Sequence, residues 1–230
     1  MILSLERRFL FIKTTKTAGT SVELALSQVC GSRDVITPLM AEDEAIRKAN
    51  PGPNQQNFLM NKAIEGPGRI VDVPGHGPAR MRFYNHMPAA EIRSQLAEGA
   101  WDGLFKFCVA RNPWDRVVSA YFYTWGTEPE VSFSRFVRSG KIAELQRKGR
   151  ELYTIDGSMA VDRICRYETL ADDLARVFEE LKLGPVPPLP RAKSGIRPKG
   201  MHYRDLYSPA DRDRLGTIFK DEIESLGYVF

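Results

Sequence analysis

Two short apolar runs, each followed at once by a polar turn and then a helical pattern, restrict this chain more than any other feature. The first, Arg8–Lys13, is rich in Phe, Leu and Ile and too short for a helix, which suits a buried strand. A turn over Thr14–Gly19 leads into a predicted helix from Thr20 to about Val29, where Val22, Ala25, Leu26 and Val29 recur at i, i+3, i+4 and i+7. Thr20 and Glu23 stand at capping-box spacing at its start. The second run, Leu104–Ala110, passes through Arg111-Asn112-Pro113 into a helix from Pro113 to about Tyr123, with proline at the first helical position, where its missing N–H costs nothing. A third strand over Val161–Tyr167 and an amphipathic helix over Ala171–Leu183, ended by Gly184-Pro185, continue the alternation. The expectation is an α/β chain: a three-layer P-loop-type fold with a central parallel sheet flanked by helices.

The 230 residues suit a single domain with a sizeable core. Thr37–Arg82 is irregular, broken by Asn50-Pro51-Gly52-Pro53-Asn54 and Glu65-Gly66-Pro67-Gly68, with a short helix near Glu42–Lys48; it reads as an insertion over one face. Further helices are predicted at Pro88–Ala97 (Ile92 and Leu96 inward), Ser132–Val137, Ile142–Arg150 and Ser208–Leu226. Val117, Val118, Tyr121, Phe122 and Trp125 form the apolar stripe of the Pro113 helix. A net charge of +4 is compatible with anionic ligands and gives no case for nucleic acid. No run approaches the ~18–20 apolar residues of a membrane span, and the N-terminal apolar run stops at Lys13, unlike a signal peptide. Cys30, Cys108 and Cys165 are odd in number and contain no CxxC pair, so reduced thiols and a cytoplasmic location are expected, with no structural metal.

The two turns carry the chemistry. In Lys13-Thr14-Thr15-Lys16-Thr17-Ala18-Gly19-Thr20-Ser21, Ala18 and Gly19 let the backbone approach an anion while N–H groups of the helix start point into the loop. Thr17, Thr20 and Ser21 add hydroxyls and Lys16 an ammonium. The loop is no Walker A motif, because Lys16 precedes the glycine by three residues instead of preceding the hydroxyl residue directly. Arg111 sits where a strand ends, the place an open α/β sheet offers to ligands, and Ser119 lies two helical turns on; a guanidinium fork and a hydroxyl suit a second phosphate. A late segment, Arg191–Arg204, holds Arg191, Lys193, Arg197, Lys199, His202 and Arg204 without an acid. A second basic stretch spans Arg135–Arg150; it reads as a solvated helix face, or as a receiver for an anionic acceptor.

KTAGTS at Lys16–Ser21 and RNPWDRVVSAY at Arg111–Tyr121, about 90 residues apart, resemble the two donor motifs of sulfotransferases that use 3′-phosphoadenosine 5′-phosphosulfate (PAPS). The nearest likeness is to the branch holding carbohydrate 2-O- and 4-O-sulfotransferases and bacterial relatives. His86 with Ala89–Arg93, and the tail Glu222–Phe230, extend the resemblance. It implies that Lys16–Ser21 hold the 5′-phosphosulfate and that Arg111 and Ser119 hold the 3′-phosphate, with Arg197 and Lys199 as contacts from a late lid. It also implies Lys16 as the leaving-group cation, His86 as the base, no metal, and a carbohydrate or small-metabolite hydroxyl as acceptor. His76 is a second candidate base. Relatives often carry His-Ile-Pro where this chain has Lys13-Thr14-Thr15, which makes Lys13 a further candidate cation. The competing readings are a P-loop nucleotide or small-molecule kinase and a non-catalytic nucleotide-binding module. The kinase reading lacks the Walker spacing and a strand ending in a metal-holding Asp.

Overall fold

The computed structural model describes residues 1–60, 69–73, 77–127, 129–190 and 196–230. Strand β1 (Ile2–Ser4) turns into β2 (Phe9–Ile12), which leads through the Lys13–Ala18 loop into α1 (Gly19–Ser27) and then β3 (Val35–Ile36). Next come α2 (Ala41–Lys48), a hairpin of β4 (Arg69–Val73) and β5 (Gly77–Met81), and α3 (Ala89–Gln95). Strand β6 (Phe105–Ala110) feeds α4 (Pro113–Trp125), followed by α5 (Phe133–Val137), α6 (Lys141–Arg147) and the small hairpin β7 (Thr154–Ile155) and β8 (Ser158–Met159). The chain closes with β9 (Arg163–Arg166), α7 (Leu170–Glu180), α8 (Pro209–Ile218) and α9 (Lys220–Leu226).

The central sheet runs β3-β1-β2-β6-β9. Strands β2, β6 and β9 are parallel, whereas β1 is antiparallel to both β2 and β3. The all-parallel expectation is therefore corrected: the N-terminal run is long enough for two strands, and Glu6-Arg7 make the turn between them. Alternation along the strands sorts the core by face. Ile2, Phe9, Phe11, Phe107, Val109 and Cys165 pack against Val22 and Leu26 of α1 and Leu174, Val177 and Phe178 of α7. Leu3, Leu10, Ile12 and Cys108 face the other way, onto Ala89 and Ile92 of α3 and onto Phe58, Met81 and Phe83. The stretch read as irregular thus contains a helix, a hairpin and part of this second apolar layer. A third cluster joins α4, α5, α6 and α8 through Val117, Val118, Tyr121, Phe136, Leu145 and Leu215.

Several local expectations change. Thr20 and Glu23 form no capping box: α1 begins at Gly19, its N-cap is Ala18, and no side chain caps it. Glu23 is instead fully buried and binds Lys13 Nζ at 2.5 Å and the α-amine of Met1. Trp125 is 39% exposed and leaves the α4 stripe, while its other four members are buried. The final helix is interrupted at Phe219, and the third strand is confined to Arg163–Arg166. Among the described residues no helix is long and apolar enough to cross a membrane.

Candidate active site

Parallel β2 and β6 end side by side, and the loops leaving them form one wall of a cleft of about 610 Å³. The first loop is conformationally strained. Lys16 and Ala18 both adopt left-handed backbone, at φ 64° and 61°, which side-chain-bearing residues enter at a cost of about 1–3 kcal/mol. The reward is orientation: N–H groups at the start of α1 have no intrahelical acceptor, and the reversals at Lys16 and Ala18 gather them into an anion-binding concavity. Gly19 is required by close approach, since a Cβ there would lie 2.7 Å from Lys13 Cγ. The Thr20 and Ser21 side chains line the cleft. Thr17 also lines the cleft, but its hydroxyl is engaged within the protein. It is wholly buried, and its Oγ1 lies 2.8 Å from Thr14 Oγ1, which in turn donates to the Val109 carbonyl of β6. Its hydroxyl ties the loop to the second strand and leaves only its backbone for an anion.

Arg111 follows β6 and is 8% exposed. Its Nε and Nη2 donate to Asp115 Oδ2 at 2.8 and 2.7 Å, its Nη1 donates to the Lys16 carbonyl at 3.1 Å, and its guanidinium stacks 3.9 Å from the Tyr167 ring centroid. Asp115 Oδ1 also accepts from Arg197 Nη1 at 2.8 Å, and so aligns both arginines. Arg197 Nε is buried and bonded to no described residue. A buried guanidinium donor that no described residue satisfies, in a cleft wall, suits an acceptor brought by a ligand. Ser119 lines the same cleft; Lys199 is exposed and does not line it, against its expected contact. Asn112 holds the turn, accepting from the Trp114 N–H at 3.1 Å and donating to the Val229 carbonyl at 2.9 Å, so the tail locks the second motif.

His86 reaches the cleft from the segment before α3, with left-handed backbone of its own at φ 59°. Its Nδ1 lies 2.9 Å from the Lys13 carbonyl, which can only accept, so Nδ1 carries the proton and Nε2 keeps its lone pair. Thr15 Oγ1 is 3.3 Å from the same Nδ1. Burial, then the positive charge of Lys13, lowers the His86 pKa from 6.5 to about 4, against the opposing pull of the carbonyl bond. Lys13 lines the cleft but is committed to Glu23. Burial favours a neutral Glu23, yet the Lys13 ammonium and the α-amine of Met1 outweigh it and hold the carboxyl at about 2. His76, Arg191 and Lys193 lie outside the described residues.

Of the residues singled out in the sequence, Lys16–Ser21, Arg111, Ser119, Arg197 and His86 converge on one cleft. Asp115, Tyr167, Tyr123 and Asp43 were missed. Asp115 had a usable signal in its position four residues after Arg111; the others come from distant parts of the chain and carried none. Lys16 Nζ sits 3.6 Å from the Tyr123 ring centroid.

A mixed α/β sheet whose parallel strands deliver two turns, one bearing Lys16 and the other Arg111, to a single cleft offers a place where an anionic ligand could be held. The comparison with known families is more specific. The model of the sulfotransferase family matches residues 2–229, nearly the whole chain, and the protein belongs to that family. A protein of Archaeoglobus fulgidus described as uncharacterized is 34% identical over 100 residues, covering 42% of this chain and 83% of its own length.

Proposed function

We propose that this member of the sulfotransferase family moves a sulfuryl group from PAPS to an acceptor hydroxyl. The observation that carries the reading is that two anion sites, the strained loop at Lys16–Ser21 and the pair Arg111–Arg197, open into the same cleft. A nucleotide with a sulfated 5′-phosphate and a separate 3′-phosphate would offer one anion to each of them. The loop's N–H groups and the Thr20 and Ser21 hydroxyls serve the 5′ side, and Arg111, Ser119 and Arg197 the 3′ side. The buried Arg197 Nε supports this fit, as a donor with no acceptor among the described residues.

The acceptor oxygen attacks sulfur in line, the S–O bond to the phosphate breaks, and the acceptor proton passes to His86 Nε2. Lys16, leaving the Tyr123 ring, meets the negative charge that develops on the departing phosphate oxygen. A neutral imidazole with its Nδ1 proton fixed by the Lys13 carbonyl is held in the tautomer this proton transfer needs.

Calorimetry with 3′,5′-ADP, 5′-AMP and ATP-Mg tests the donor assignment. Binding of 3′,5′-ADP that weakens by about a hundredfold without the 3′-phosphate is expected, since that phosphate makes charge-assisted bonds to Arg111 and Arg197. Equal binding of 5′-AMP refutes the assignment. Lys16→Ala is expected to lower kcat by about a hundredfold or more while 3′,5′-ADP affinity changes far less, because the ammonium acts on charge present mainly in the transition state.

A further inference from the structure

Asp115 does not line the cleft, yet each of its two oxygens holds one of the two guanidiniums that do. Arg111 Nε donates to Oδ2 at 2.8 Å, with Nη2 2.7 Å from the same atom, and Arg197 Nη1 donates to Oδ1 at 2.8 Å. The carboxylate is itself fixed. It stands in the first turn of α4, whose start is set by Pro113 and the Asn112 cap, and its side chain is only 15% exposed. Two guanidiniums brought side by side repel, and a carboxylate between them offsets the repulsion while setting the direction of each fork.

The two arginines depend on it unequally. Arg111 is also anchored by the Lys16 carbonyl and by stacking on Tyr167. Among the described residues the Arg197 guanidinium hydrogen-bonds Asp115 alone, while its Nε is buried and unmatched. An arginine already held in place loses less rotamer freedom on meeting a phosphate than one that must first be ordered.

We infer that Asp115 is the positioning residue that gives the second turn its preference for a nucleotide bearing a 3′-phosphate, by presenting Arg111 and Arg197 as one preformed clamp. The inference deepens the sulfuryl-transfer reading and rests on it. Charge alone argues the opposite way. Asp115 sets one negative charge against two positive ones, so on Coulomb attraction its removal tightens the grip on an anion. Positioning predicts weaker binding, because an undirected guanidinium meets the phosphate at an entropic cost.

Calorimetric titration of the parent, Asp115→Asn and Asp115→Glu with 3′,5′-ADP and with 5′-AMP separates these two roles. The Asn variant keeps one acceptor, which suits Arg111, and turns an amide N–H toward Arg197. The Glu variant keeps the charge and displaces it by a methylene. Both are expected to bind 3′,5′-ADP about tenfold more weakly and 5′-AMP within about twofold of the parent. A general loss of structure would weaken both nucleotides alike. Arg197→Ala is expected to weaken 3′,5′-ADP about tenfold in the parent and hardly at all in Asp115→Asn, where that arginine is already undirected.

Tighter 3′,5′-ADP binding by Asp115→Asn, unchanged binding by Asp115→Glu, parallel losses for both nucleotides, or additive effects of Asp115→Asn and Arg197→Ala overturn the inference while the parent still prefers 3′,5′-ADP. If one Asp115 variant fails to fold, the other carries the comparison; failure of both assigns Asp115 to stability and overturns the inference too. A parent that binds 5′-AMP as well as 3′,5′-ADP removes the sulfuryl-transfer reading itself, and the inference with it.

Discussion

His86 shows how a single residue's role is set by what surrounds it. Its side chain is one of only three imidazoles in the chain, yet its protonation is governed by burial and by the neighbouring Lys13. The folded-state pKa of about 4 lies below the ordinary 6.5, so between those values the unfolded chain binds more protons than the native one. The His86 contribution to stability is complete above about pH 6.5 and is lost as pH falls toward 4. NMR titration of the His86 ring in the ligand-free protein is expected to give a midpoint near 4, and a midpoint near 6.5 refutes the packing described. Asp115 is the residue-scale counterpart at the second turn, because one carboxylate fixes two guanidiniums that are 86 positions apart in the chain.

Among the elements, α1 and α4 do the positioning, and they do it differently. Helix α1 starts without a side-chain cap, which leaves its first N–H groups available to a ligand. Helix α4 starts with Asn112 as N-cap and Pro113 behind it, so its own first N–H groups are satisfied and its role is to aim Arg111 and Ser119. Loss of a side-chain N-cap costs about 1 kcal/mol. Asn112→Ala also removes the bond to the Val229 carbonyl, so a destabilisation of at least about that size is expected, read as a lower urea midpoint with unchanged slope. A midpoint equal to that of the parent would show that neither bond holds the second motif.

Across the whole molecule, one buried ion pair joins the second motif to the C-terminal helix. Arg116 of α4 meets Glu222 of α9 through two bonds of 2.7 Å, with both side chains almost wholly buried. Removing one partner strands the other charge, a loss of about 3–5 kcal/mol. Glu222→Ala is therefore expected to lower Tm by roughly 10 °C in a chain of this size. The double variant Arg116→Met with Glu222→Leu should recover most of that loss; thermal denaturation in which the double variant is no better than Glu222→Ala would show that the pair is intrinsically stabilising.

Much of this architecture was legible in the chain because it rests on local rules. The apolar runs at Phe9–Ile12 and Phe105–Ala110, the proline and asparagine that open α4, and the small residues of the Lys16–Ser21 loop each act within a few neighbours. Short-range sterics and backbone bonding therefore placed both strand-to-helix turns correctly. Periodicity could not show that Ile2–Ser4 adds an antiparallel strand, because three apolar residues fit several structures equally well. Nor could it show that Glu23, spaced like a capping residue, turns inward. A buried Lys13 ammonium 2.5 Å away exists only once β2 and α1 have packed, and a charge-assisted pair in low dielectric outweighs an exposed cap. The same holds for the cleft. Sequence by itself determined two strand-to-helix turns rich in small and cationic residues; only the tertiary fold, by setting parallel β2 beside β6 and docking Arg197 on Asp115, decided that they share one cleft and that Met40 and Tyr123 border it.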